Sequence, residues 1–269
     1  MAAIIRDFQI SDISAVSPLP PEEWHFPISD FILQHFEQPY FSPFVLCEDD
    51  TVVGFGNSIR NNDTAWLGNI IVHADHRKKG YGSLITRHLI DHAGSLGVTS
   101  FILIATEMGR PVYEKIGFVK TSDYIFYKRE TTVELKLSTF IQRLTESDHI
   151  QTADLDHYVS GEERDLFIRQ FLPTAYCIKM RNELEGVYFK KLGNGLIIAR
   201  STIAGLALLS LRIAEGAESL VIPEENTFAR DYIQNVGFKE TMRLPRMVYG
   251  YGKTWHPECV YNRGAGYCG

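Results

Sequence analysis

Residues 69–92, NIIVHADHRKKGYGSLITRHLIDH, constrain this chain most: an apolar run passes through a basic, glycine-bearing turn and straight into an amphipathic pattern. Ile70, Ile71 and Val72 are β-branched and flanked by polar or small residues, which favours a buried strand. Arg77-Lys78-Lys79-Gly80-Tyr81-Gly82 then supplies three cations and two glycines. From Tyr81 onward Leu84, Ile85, Leu89, Ala93 and Leu96 recur at helical spacing, which sets Gly80 and Gly82 at the helix's first turn. A helix start carries unpaired N–H groups and partial positive charge, and glycine lets an oxyanion reach the backbone without meeting a Cβ. Strand, turn and helix in this order read as a pyrophosphate cradle. The spacing is not that of a dinucleotide fingerprint, because Ile85 stands where the third glycine of G-x-G-x-x-G belongs. No G-K-[ST] is present, which argues against a nucleoside triphosphate loop.

Arg77-x-x-Gly80-x-Gly82 behind such a strand resembles the acyl-CoA signature of the GNAT superfamily of N-acetyltransferases. A second landmark follows in the right order: Ile104-Ala105-Thr106, then Val112 to Phe118, VYEKIGF, similar to the family's strand, helix and Y-x-x-x-G-F ending. The resemblance implies an acetyl-CoA-dependent N-acetyltransferase with the CoA pyrophosphate on Arg77, Lys78, Lys79, Gly80, Tyr81, Gly82 and Ser83. It also implies a pantetheine arm bonded to the main chain of Ile70, Ile71 and Val72, in a slot between that strand and residues 101–106. Thr106 stands eleven residues before Gly117, where the family usually has an asparagine that contacts CoA. Tyr113 takes the place of the family's general acid, which protonates the departing thiolate. The general base is not legible. Ala65-Trp66-Leu67-Gly68-Asn69 holds no carboxylate, and His73, Glu107 and ordered water stand as alternatives. His73-x-x-His76 has no third ligand near in sequence, so no metal is expected.

At 269 residues, 45% hydrophobic and 22% charged, the chain is ordinary globular material of a length that suits two modest domains. Its formal net charge of −6 argues against a general nucleic-acid partner and is compatible with a cationic amine acceptor. Four cysteines lie without C-x-x-C spacing, so neither a zinc site nor a disulfide framework is indicated. The start, MAAIIRDFQISD, lacks the apolar region of a secretory signal, and the apolar run Ala204 to Leu211 is too short to cross a membrane. These features predict a cytoplasmic protein with reduced thiols.

Taken in order, Ala3 to Phe8 reads as a first strand, followed by a helical region to Glu37 broken at Pro18, Pro20 and Pro21. Trp24, His25, Phe26 and Phe36 are core residues or the lining of an acceptor pocket. Two apolar runs around Glu48-Asp49-Asp50 read as a hairpin, and 64–72 as its third member. Residues 100–105 form the strand after the long helix, a parallel neighbour of 64–72. Residues 118–127 and 132–137 read as closing strands, and 138–148 turns helical and polar.

The second half repeats the Gly-Phe landmark as Gly237-Phe238, with Asn226 eleven residues and Ala229 eight residues ahead of Gly237. Residues 202–215 read as a buried helix, 219–222 as a strand and 225–236 as a helix. No R-x-x-G-x-G precedes them, and Ile233 stands where a catalytic tyrosine would. This half resembles a degenerate GNAT domain, down to Arg246-Met247-x-x-Gly250 and Arg263-Gly264-x-Gly266. The resemblance implies a role in closing the acceptor site, in homodimerisation or in sensing a small molecule. The fold class expected is α/β (α+β), two GNAT-like domains at 1–137 and 138–269, each a mixed, mostly antiparallel sheet flanked by helices. The expected acceptor is a small-molecule primary amine. A CoA-binding regulatory module without turnover and a protein-lysine acetyltransferase remain as alternatives.

Overall fold

The computed structural model of the chain describes residues 3–24 and 26–269. Its elements in order are β1 (Ile4–Asp7), α1 (Ile13–Val16), α2 (Ile28–His35), β2 (Phe41–Glu48), β3 (Thr51–Asn61), β4 (Thr64–Val72), α3 (Tyr81–Ser95), β5 (Ser100–Ile104) and α4 (Arg110–Ile116). These are followed by β6 (Val119–Arg129), β7 (Gln142–Arg143), α5 (His149–Ser160), α6 (Asp165–Ile168), β8 (Tyr176–Met180), β9 (Glu183–Phe189) and β10 (Leu196–Ala199). The chain ends with α7 (Thr202–Ala214), β11 (Ser219–Pro223), α8 (Thr227–Asn235), β12 (Phe238–Gly250) and β13 (Val260–Asn262). Mixed sheets and flanking helices are those of the α/β (α+β) class expected.

Two compact units result: Met1–Val119 with Met247–Tyr251, and Lys120–Arg246 with Gly252–Gly269. The boundary expected at 137/138 thus moves to 119/120, and a short stretch from far downstream returns to the first unit. Its physical reason is burial. Met247 is fully buried in the cluster that holds Phe101, Leu103 and Phe118, and the Tyr249 ring lies 5.5 Å from Phe118 and 5.9 Å from Phe101.

In the first unit β1, β2, β3 and β4 are antiparallel neighbours in that order, and β5 lies parallel to β4. The β2–β3 hairpin turns at Asp49 and Asp50, both left-handed (φ 49° and 62°), a conformation that Asp tolerates better than most residues. Ile85, Leu89 and Ala93 of α3 bury against Phe44, Leu46 and Val53. The helix sits tight on the sheet because Gly56 has no side chain; a Cβ there would stand 2.5 Å from Ile85 Cγ2. The proline-broken region yields the two short helices α1 and α2. Trp24 is exposed, while Phe26 and Phe36 are half-buried beside Phe31 and Phe8, each at 5.6 Å between ring centroids. His25 lies outside the described residues.

In the second unit, β13, β10, β9, β8 and β7 form a five-stranded sheet, and β6 lies between β12 and β11. The order β8–β9–β10–α7–β11–α8–β12 repeats β2–β3–β4–α3–β5–α4–β6. One expectation fails here and another holds only at its end. Residues 132–137 alternate in polarity but form no strand, and Leu135 instead packs on the unit's core. Of residues 138–148 only Glu146–Asp148 is helical, a 3-10 turn that leads into α5 at His149 and is capped by Thr145 and Asp148, with Asp148 Oδ2 accepting from Thr145 N at 2.9 Å. The N-x-x-A signature of the second half is a helix cap: Asn226 Oδ1 accepts from Ala229 N at 2.9 Å, and Asn226 Nδ2 donates to Val260 O at 3.0 Å.

That last bond reveals what distinguishes the halves. Between β10 and β11 the chain inserts its own β13. Ile197 pairs with Asn262 and Ile198 with Val260, while Arg263 N donates to Val221 O at 2.8 Å and Asn262 Oδ1 accepts from Val221 N at 2.9 Å. The interval that corresponds to β4 and β5 in the first unit is therefore filled by backbone in the second.

Candidate functional site

The first unit leaves that interval open. β4 and β5 pair only at Thr64↔Ser100, Ala65↔Phe101 and Trp66↔Ile102. β4 continues to Val72, held on its other side by β3 through Gly68↔Asn57, Ile71↔Phe55 and Val72↔Gly54. Among the described residues, its β5-facing backbone beyond Trp66 has no ladder partner on β5. The register shift on the β3 side marks a bulge at Asn69, whose φ of 52° is left-handed. Asn69 Nδ2 donates to Asn57 Oδ1 at 2.8 Å, and fully buried Asn57 retains an Nδ2 with no partner. A bulge of this kind bends the strand and disrupts the local ladder. Ile70, Ile71 and Val72 follow it directly.

The turn at the end of β4 is built from left-handed residues. Lys78 has φ 64°, and Gly80, the residue before the first turn of α3, has φ 84°. Backbone in this alternating conformation turns successive N–H groups to one side, the concave arrangement that binds anions. An added Cβ at Gly80 or Gly82 would meet nothing within 4 Å, so neither glycine is needed for packing inside the protein. Gly82 and Ser83 form the first turn of α3, and Gly82 O accepts from Thr86 Oγ1 at 2.7 Å.

The cations of the turn divide by function. Arg77 is exposed and its Nε donates to Val72 O at 3.2 Å, which folds the side chain back over the strand's end. Lys78 is exposed. Lys79 and Tyr81, both expected on the cofactor, turn instead to Glu48 at the end of β2: Lys79 Nζ donates to its two oxygens at 3.0 and 2.9 Å, and Tyr81 Oη donates to Oε1 at 2.6 Å. His76 Nδ1 lies 2.6 Å from Oε2. Tyr81, then Lys79, then His76 hold the Glu48 carboxyl down to about 2, and the same bond raises the Tyr81 phenol above its ordinary value. Glu48 is thus the peg of the turn. It is not legible in the sequence, because the acid lies in a hairpin 31 residues before Lys79 and only the β2–β3–β4 register brings it under the turn.

Tyr113 sits on α4, 8% exposed, with its ring 5.9 Å from that of Phe118. Burial alone raises its phenol, so it stays protonated through neutral pH. Thr106 follows β5 and starts the turn into α4: its Oγ1 accepts from Gly109 N at 3.1 Å and its carbonyl from Arg110 N at 2.9 Å. That employs the hydroxyl's acceptor side and leaves its proton to donate. His73 and Glu107 are both exposed, and His73 Nδ1 accepts from Asp75 N at 3.4 Å. Neither is gathered into a buried acid–base pair.

A parallel strand pair whose ladder ends after Trp66↔Ile102, a glycine-bearing turn and a buried tyrosine on the following helix lie together in the first unit. Residues 9–118 match the Acetyltransferase (GNAT) family. The matched stretch lies within the first unit. The chain is similar to YitH, an uncharacterized N-acetyltransferase of Bacillus subtilis (strain 168), with 26% identity over 200 residues that cover 68% of this chain and 69% of YitH. Two solved structures share the fold along nearly the whole length. A candidate acetyltransferase from Pyrococcus horikoshii has a TM-score of 0.83 at 22% identity, covering 99% of this chain and 96% of its own. A GCN5-related N-acetyltransferase from Sphaerobacter thermophilus has a TM-score of 0.63 at 13% identity, covering 98% and 97%.

Proposed function

We propose that the first unit transfers the acetyl group of acetyl-CoA to the primary amine of a small molecule. The observation that carries this reading is the early end of the β4–β5 ladder, which leaves the main chain of Ile70, Ile71 and Val72 free to bond an extended thioester arm. Arg77 and Lys78 supply charge to the pyrophosphate, and the N–H groups of Gly80, Tyr81, Gly82 and Ser83 supply donors. Lys79 contributes through the turn it fixes with Glu48. The main-chain N–H groups around the Asn69 bulge stabilise the oxyanion as the neutral amine attacks the thioester carbonyl. A C–N bond forms, the C–S bond breaks, and Tyr113 Oη donates its proton to the departing sulfur. The amine's surplus proton passes to water, in keeping with the exposed positions of His73 and Glu107. Thr106 donates to the arm from the end of β5. The net charge of −6 favours the approach of a cationic acceptor.

Thiol release from acetyl-CoA, followed against a panel of amines, tests the reading in wild type and Tyr113→Phe. The expected result is turnover with at least one amine and a fall in kcat of roughly a hundredfold or more in the variant, at unchanged CoA affinity. CoA binding without acetylation of any amine would replace the transferase by a binding module. Acetylation of lysine in proteins but of no free amine would move the acceptor class.

A further inference from the structure

Three arginines of the second unit are buried: Arg164, Arg246 and Arg263. Arg164 is matched. Its Nε and Nη2 donate to the two oxygens of Asp156, each at 2.7 Å, and its Nη1 donates to Cys268 O. Arg246 lies 4.2 Å over the Trp255 ring, donates from Nη1 to Thr121 Oγ1 at 3.1 Å, and feels the negative charges of Glu162 and Glu225. Arg263 differs from both. It is 6% exposed, its guanidinium carbon stands 5.2 Å from the Tyr124 ring and 5.3 Å from that of Phe126, and its Nε has no hydrogen-bond partner. The groups that act on its charge are Tyr124, Cys268 and Tyr267; among the described residues no carboxylate does.

A buried cation without a counter-charge is costly, and native proteins rarely keep one unless something outside the chain completes it. The carboxylates nearby face the other two arginines: Asp156 holds Arg164, and Glu162 and Glu225 act on Arg246. The two aromatic rings interact with that charge but supply no acceptor in the plane of its fork. The fork lies directly beneath Gly266, which is exposed and where an added Cβ would stand 3.6 Å from Arg263 Nη1.

We propose that Arg263 anchors a ligand site in the second unit that takes a small organic monocarboxylate, received by the guanidinium fork beside Gly266 and walled by Tyr124 and Phe126. A planar carboxylate accepts two parallel N–H bonds from such a fork, and its single charge matches the single charge of Arg263. The site uses none of the residues assigned to acetyl transfer.

Thermal unfolding of the full chain, titrated with sodium acetate or inorganic phosphate against sodium chloride at matched ionic strength, tests this. Wild type should gain roughly 5 °C at acetate about a hundredfold above its dissociation constant. Arg263→Met should be no less stable than wild type without acetate, since it removes an uncompensated charge and keeps the length, and should lose the acetate response. Gly266→Ala should fold normally and bind acetate several-fold more weakly by calorimetry, which decides the matter if Arg263→Met does not fold. Exposed Arg181→Met should respond as wild type does. No acetate effect beyond chloride in wild type, or equal effects in wild type, Arg263→Met and Gly266→Ala, would overturn the site; a phosphate effect equal to that of acetate would overturn the ligand class.

Discussion

Replacing Gly82 by alanine separates the cradle's architecture from its chemistry. Gly82 is the second residue of α3, and a Cβ placed on it meets no atom within 4 Å. The fold therefore gives no reason for glycine there. Alanine in a helix gains up to about 1 kcal/mol over glycine, worth roughly 2–4 °C in Tm for a chain of this size. The phosphates of acetyl-CoA would meet the new methyl where they approach the first-turn N–H groups. Loss of one charge-assisted bond corresponds to about 1.5–3 kcal/mol, a fall of at least roughly tenfold in CoA affinity. Thermal unfolding without ligand, paired with calorimetric CoA binding, reads both effects on the same sample. Gly80→Ala is the counterpart: its φ of 84° makes any Cβ strained, at about 1–2 kcal/mol, so that variant should lose stability and affinity together. A Gly82→Ala protein that is more stable and binds CoA as tightly as wild type would refute the cradle.

Further outcomes follow from the same contacts. Glu48→Gln removes the shared anchor of His76, Lys79 and Tyr81, and should raise the KM for acetyl-CoA by up to about tenfold with little change in kcat, measured by thiol release. Because the Glu48 carboxyl is depressed from 4.5 to about 2, its contribution to stability is present above the unfolded value and is lost as pH falls from 4.5 toward 2. Acid unfolding of Glu48→Gln should be flatter than that of wild type in that window. His35, buried on α2 with Nδ1 3.1 Å from Tyr40 Oη, is lowered by burial from 6.5 to about 4. Its unfolded form binds the extra proton, so stability should fall as pH drops from 6.5 to 4, and His35→Phe should flatten that slope in urea titrations. Asp156→Ala should cost about 3–5 kcal/mol in the second unit by leaving Arg164 buried and unmatched, read as a lowered urea midpoint.

The strand–turn–helix at 69–92 was legible because it is local: β-branched run, left-handed glycine and helical repeat all lie within one stretch of chain. Tyr113 and Thr106 were legible through spacing to Gly117-Phe118. What stayed hidden depends on partners distant in sequence. Lys79 and Tyr81 read as phosphate ligands until Glu48 comes under the turn, a matter of strand register. Asn226 resembles the family's CoA-contacting residue, yet its amide is engaged by Ala229 and Val260, and nothing near it in sequence announces β13. Residues 132–137 alternate as a strand does but lack a neighbour to pair with, since alternation specifies which face is buried and not whether an edge is available. The boundary at 119/120 was invisible for the same reason: Met247 joins a core whose other members lie more than a hundred residues away in the chain, by the order of elements a strand–helix repeat allows.

The return of Met247–Tyr251 to the first unit bears on how the enzyme is made. A ribosome releases the cradle, β5 and α4 early, but the side chains that complete the hydrophobic cluster around Phe101 and Phe118 are translated only after all the strands and helices from β6 to α8. At about 5–20 residues per second, the nascent first unit waits several seconds with that flank unfilled. Chains that stall or are cut between Phe118 and Met247 yield a fragment that carries every proposed acetyl-transfer residue and still lacks part of its own core.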